Sequence, residues 1–335
     1  MRLTGGKAVG GLLAYCLVVL ACLGPAPASA DWRFAPVVPK LTAGQQEKLR
    51  ALVSAGQKAG LRAGVFAKIG DSNTEFAPNL YGLACSKVRV LAPALRRTLG
   101  RYNRVRLANE RALPGCRPWT SFSRRSSAAQ AGVYSTWTVT RVSDLPDEGY
   151  WRKPPGCDPD STPLSCEVDA VRPRYALVML GTNDLGMDIS FGTSPGSQIT
   201  ERMGRVVNAL VARRVVPVLS TIPPVIRPEP DRQAAFDAGV ARTNRGIWRL
   251  ARLRGLPMIN LWRALQAPSM FNLGLSPDGL HFGVAGSDGQ MVGVQPGPTT
   301  FADSVDFRPS GLRYGANRRN LIWLRTLAYL DRVTG

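Results

Sequence analysis

The chain has 335 residues, with 43 Lys and Arg against 23 Asp and Glu and a single histidine, for a formal net charge of +20. Such a balance permits binding to acidic polysaccharide, anionic envelope surfaces or nucleic acid. The arginines are dispersed (Arg96-Arg97, Arg124-Arg125, Arg213-Arg214, Arg318-Arg319) with no helix-turn-helix, RNA-binding signature or zinc finger beside them, so specific nucleic-acid recognition is not expected. No stretch reaches the roughly 20 consecutive apolar residues of a membrane-spanning helix.

In chain order, Arg2 and Lys7 precede an apolar run from Val9 to Leu23 and the small-residue site Ala28-Ser29-Ala30, the three parts of a cleavable secretory leader. Residues 1–30 are therefore expected to be a signal peptide cut after Ala30, leaving a secreted or periplasmic domain over 31–335. Its charge is +18 once Arg2 and Lys7 are subtracted from +20. Cys22 follows Val19-Leu20-Ala21, a sequence like a lipoprotein box but with a bulky leucine, so lipid anchoring is the lesser expectation.

Thr42 caps an expected helix over 43–59 that Gly60 stops. Short apolar runs at 64–69, 175–180 and 215–219, with a weaker one at 257–261, predict buried parallel strands. Helical periodicity occupies 199–214 and 231–254, and a terminal helix is expected over 318–332. Strand alternating with helix implies a mostly parallel α/β sheet covered on both faces. Two segments break the pattern, 143–166 and 282–315, and are expected to be long loops. Four cysteines follow the leader, Cys85, Cys116, Cys157 and Cys166, an even number in an exported chain. The turn-rich loop between Cys157 and Cys166 suits one disulfide, leaving Cys85 for Cys116. Zinc is not expected, because no Cys-x-x-Cys pair occurs.

Three segments carry the chemistry. Gly70-Asp71-Ser72-Asn73-Thr74 ends the first predicted strand, Gly181-Thr182-Asn183-Asp184 follows the second, and Asp278-Gly279-Leu280-His281 holds the histidine. A serine hydroxyl needs a base to become a nucleophile, and imidazole serves near neutral pH. His281 is expected to take the Ser72 proton and return it to the leaving alcohol, while Asp278 fixes its tautomer. In isolation each segment has a plainer reading: Asp71-Ser72 as a helix cap, Asn183-Asp184 and Asp278-Gly279 as turns. Their joint occurrence in this order favours a hydrolase site.

Together these motifs resemble the blocks of the SGNH hydrolase superfamily, the GDSL-type esterases and lipases, with Asn73 standing where leucine or isoleucine is frequent. The resemblance spans about residues 64 to 281. It implies a flavodoxin-like three-layer α/β/α sandwich, hydrolysis of acyl or acetyl esters without metal or cofactor, and an oxyanion hole from Ser72, the block-two glycine and Asn183. Gly132 is placed as that glycine, with Gly82, Gly100 and Gly115 as competitors. Asp71 is expected to hold its turn, and Asp184 to orient a loop. The substrate class it implies is a small-molecule, lipid or acetylated-polysaccharide ester. Two other functions compete: O-acyl transfer on the same fold, and a non-catalytic basic envelope protein that binds anionic polymer.

Overall fold

Four parallel strands in the order β1-β2-β3-β4 form the central sheet, built from Arg62–Gly70, Pro173–Met179, Val216–Ser220 and Met258–Ile259. This is a computed structural model, and it describes residues 31–76, 78–108, 119–148, 151–285 and 298–335. The expected leader, Cys22, Gly115 and Cys116 lie outside the described residues.

Strand residues alternate between two cores, as a period of two on a sheet covered on both faces requires. Phe66, Tyr175, Leu177, Met179, Val216 and Val218 face one core, while Val65, Ala67, Ile69, Ala176, Val178 and Leu219 face the other. The first face is covered by α1 (Ala43–Lys58), α2 (Pro93–Arg104) and α7 (Gly315–Thr334). The second is covered by α3 (Pro163–Val171), α4 (Thr182–Ser190), α5 (Ile199–Ala212) and α6 (Pro230–Arg254). The helices of the crossovers from β2 to β3 and β3 to β4 thus share one face, and the other is closed by α1 before β1, α2 between β1 and β2, and α7 after β4. The result is the expected three-layer α/β/α arrangement. Burial of each large apolar side chain contributes about 1.5–3 kcal/mol relative to exposure, so both cores, more than the two-residue β4, hold the sheet.

The expected elements recur with small shifts. Thr42 and Gln45 make a capping box at the start of α1. Gly255, in the left-handed conformation, ends α6. The strand expected over 257–261 shrinks to Met258–Ile259 because Asn260 caps the one-turn helix Leu261–Leu265, accepting from Arg263 N–H at 3.1 Å. Its Nδ2 is meanwhile committed to Trp32 O at 2.8 Å.

Three segments correct the sequence reading. α2 was not anticipated, because its arginines hide a face on which only Thr98 and Tyr102 are buried. The segment 143–166 is not all loop: Thr162 and Ser165 form a capping box that starts α3 at Pro163. Cys157 and Cys166 form the expected disulfide, with Cα atoms 5.6 Å apart, and so tie that loop to α3's first turn. Cys85 is also disulfide-bonded. Within 282–315, residues 286–297 lie outside the described residues, but Pro298–Asp303 is helical and Phe301, Val305 and Phe307 are buried. Those aromatic and branched residues pack as core despite the Gly/Pro-rich context.

Candidate functional site

β1 delivers Ser72 to the carboxyl end of the sheet. The strand stops at Gly70, and Asp71 becomes the N-cap of the one-turn helix Ser72–Glu75, its Oδ1 accepting from Asn73 N–H at 3.0 Å. The capping reading of Asp71 holds, and it leaves Ser72 at the first position of the helix. Beside this turn runs the segment 128–130, which extends the pairing on β1: Gly70 N–H donates to Ala128 O, and Gln130 N–H to Gly70 O. Glu75 stitches the two by accepting from Ala131 N–H and pairing with Arg125, both at 2.7 Å.

The histidine loop meets this turn from the far end of the chain. His281 Nε2 lies 2.9 Å from Ser72 Oγ, and His281 Nδ1 lies 2.5 Å from Asp278 Oδ2. The other Asp278 oxygen accepts from Ser276 Oγ, Leu280 N–H and His281 N–H. Burial works against ionisation of Asp278, but these hydrogen bonds outweigh it and hold the carboxyl at about 2. An ionised carboxylate can only accept, so Nδ1 carries the imidazole proton and Nε2 presents its lone pair to Ser72. The Phe76 ring packs on the imidazole, with centroids 4.9 Å apart. A hydroxyl, an imidazole and a carboxylate in this sequence can pass a proton from Oγ to Nε2 while Asp278 balances the imidazolium.

Asn183 follows β2 in the same way that Ser72 follows β1. Its helix starts after Gly181, at φ 125°, where an added Cβ would press on Thr243 and Ile222. Asn183 Nδ2 donates to Val133 O at 2.8 Å, next to Gly132, which has φ 77° and whose carbonyl accepts from Trp151 Nε1. Asp184 accepts from Ser135 through both N–H and Oγ, and from Arg202. The segment carrying Gly132 is thus fastened both to the serine turn and to Asn183. Of the competing glycines, Gly100 lies within α2, and Gly82 packs tightly on Phe301 and Ser304.

The burial of several charged residues around the serine turn was not anticipated. Asp71 is buried, one of its oxygens lacks a partner among the described residues, and burial raises its pKa to about 7. Arg319, on α7, is buried too, and desolvation lowers it to about 9. Lys68 projects from β1 over the Tyr81 ring, 3.7 Å from its centroid, and donates to Phe122 O; burial drives its pKa well down. Arg124 and Glu167 form a buried ion pair, and Glu167 also accepts from Ser127 N–H. Arg124 and Arg319 each belong to a doublet, Arg124-Arg125 and Arg318-Arg319, but a sequence doublet looks the same buried or exposed. Among the tryptophans, Trp32, Trp137 and Trp323 are core. Phe191, at the end of α4, is 75% exposed.

A parallel α/β sheet with these loops at its carboxyl end has the architecture expected of the SGNH hydrolase superfamily. Residues 69–288 match the GDSL-like Lipase/Acylhydrolase family, well over half of the chain, and the chain belongs to that family. Among solved structures, it is similar to the lipase/acylhydrolase from Enterococcus faecalis, with 14% identity, TM-score 0.44, and 79% of this chain and 95% of that one covered. A GDSL-like lipase from Bacteroides thetaiotaomicron shows 13% identity and TM-score 0.38, with 71% and 90% covered. An alpha/beta hydrolase enzyme from the metagenome of Lake Arreo, Spain, shows 16% identity and TM-score 0.39, with 76% and 95% covered. No curated protein matches the sequence. The family supports an ester hydrolase in general.

Proposed function

We propose that this chain is an exported serine ester hydrolase, cleaving acyl or acetyl esters with Ser72 as nucleophile. The carrying observation is the line Ser72 Oγ, His281 Nε2, His281 Nδ1 and Asp278 Oδ2, with gaps of 2.9 and 2.5 Å. Ser72 Oγ attacks the ester carbonyl carbon as its proton passes to Nε2. The tetrahedral intermediate places its negative oxygen against the N–H of Ser72, the N–H of Gly132 and the Asn183 amide. The Asn183 bond to Val133 O supports this assignment, because it fixes the amide beside Gly132. Such a donor is worth about 10²–10³ in rate. Collapse expels the alcohol, which takes the proton from Nε2, and leaves acyl-Ser72; water attacks the acyl group with His281 as base and restores the serine.

Export rests on the leader pattern of residues 1–30 and on the disulfide between Cys157 and Cys166, which suits an oxidising compartment. A fluorophosphonate probe tests the nucleophile. The expected result is labelling of Ser72, located by peptide mass spectrometry and abolished in Ser72→Ala. A folded parent that takes no label at Ser72 and turns over no ester would remove the proposal.

A further inference from the structure

We infer that Asn73, anchored by Arg319, is a positioning residue that sets the Ser72–His281 distance; this rests on the hydrolase reading above. Asn73 is 2% exposed and engages all four of its polar groups. Its N–H donates to Asp71 Oδ1 at 3.0 Å. Its carbonyl accepts from Arg319 Nη1 at 2.6 Å. The side-chain amide reaches across to the histidine loop, where Nδ2 donates to Leu280 O at 3.3 Å and Oδ1 accepts from Phe282 N–H at 3.2 Å.

Those last two groups belong to the residues on either side of His281. One amide therefore grips the peptide that carries the base at both flanks, while its own backbone directly follows the nucleophile. A leucine side chain at 73 has neither donor nor acceptor and could fill space but not fix register. Asparagine supplies the donor and the acceptor in a single rigid plane.

Arg319 completes the clamp from a third direction. It holds the Asn73 carbonyl from α7, and its guanidinium lies over the Phe282 ring, 4.3 Å from the centroid. It thereby touches the serine turn and the histidine loop at once. Misplacement of a reacting group by about 1 Å can cost about 10²-fold in rate, so a clamp at this place acts on turnover more than on substrate binding.

The test compares the parent with Asn73→Ala and the near-isosteric Asn73→Asp, using kcat and KM on a short-chain ester. Each kcat is normalised to sites titrated with fluorophosphonate, and folding is followed by circular dichroism. For Asn73→Ala the expectation is a kcat per titrated site lower by about 10–100-fold, with KM nearly unchanged and slower labelling of Ser72. Asn73→Asp keeps the acceptor for Phe282 N–H but not the donor for Leu280 O, so an intermediate kcat is expected; it decides the matter if the alanine variant does not fold. A purely structural role would lower the melting temperature or the titratable fraction while leaving kcat per site at the parent value, and that result overturns the inference alone. A parent inert to probe and ester overturns the hydrolase reading, and this inference with it.

Discussion

The serine turn and the histidine loop each contain an aspartate that caps its own turn, yet the two carboxyls are driven in opposite directions. Asp71 is buried, leaves one oxygen unpartnered and has its pKa raised to about 7. Asp278 remains partly exposed, accepts four hydrogen bonds and is held at about 2. Burial raises both, more completely at Asp71, and at Asp278 the hydrogen bonds outweigh it. The difference teaches that capping geometry alone does not mark the partner of an imidazole. Asp278 is therefore ionised throughout the neutral range, whereas Asp71, at about 7, is about half protonated at neutral pH.

The sharpest way to break this contrast is to remove the group that Asp278 serves. His281→Ala is expected to lower kcat/KM by about 10⁴-fold or more while leaving the circular dichroism spectrum unchanged; activity within a few-fold of the parent would contradict it. Asp278→Asn comes next. It retains the turn's size but offers His281 Nδ1 a weaker partner, and its effect on kcat should be about tenfold to a hundredfold milder than loss of the histidine. A variant as active as the parent would show that the carboxylate charge is idle.

The smallest effect is on stability, and here the two aspartates have opposite signs. A carboxyl whose folded pKa exceeds its unfolded value binds more protons when folded, so its contribution falls as pH rises between about 4 and about 7; that is Asp71. Asp278, depressed to about 2, contributes above about pH 4, and that contribution is lost as pH falls toward 2. Melting curves of Asp71→Asn should therefore gain on the parent as pH climbs from about 4 to about 7. Asp278→Asn should lose on the parent above about pH 4 and converge with it toward pH 2. Parallel Tm profiles for parent and variants would show that neither shift exists.

Much of the architecture was legible in the sequence because its cues are local. Short apolar runs, two of them closed by glycine, located β1 to β3, and Thr42 and Gly255 marked the limits of α1 and α6. Ser72, Asn183, Asp278 and His281 stood out because each follows a strand or sits in a short Gly-containing turn. α2 was illegible since its arginines outnumber its buried residues, and α3 was masked by Pro163 and its flanking serines. Asn73 was visible as a departure from the leucine or isoleucine frequent there, but its work depends on Leu280 and Phe282, which no local pattern places beside it. The burial of Lys68 and Arg319 was hidden for the same reason: charged residues are ordinarily surface residues, and only the packing of β1 and α7 takes these two out of water.

The union of Ser72 with His281 spans 209 positions of the chain, and that of Asn73 with Arg319 spans 246. Contacts so distant in sequence close large loops and form slowly compared with helices and adjacent strands. Any reactivity of Ser72 is therefore expected to arise late in folding. During refolding, ellipticity should recover first and fluorophosphonate labelling should trail it, since a chain that has rebuilt its helices but not yet docked α7 holds a serine without its neighbours.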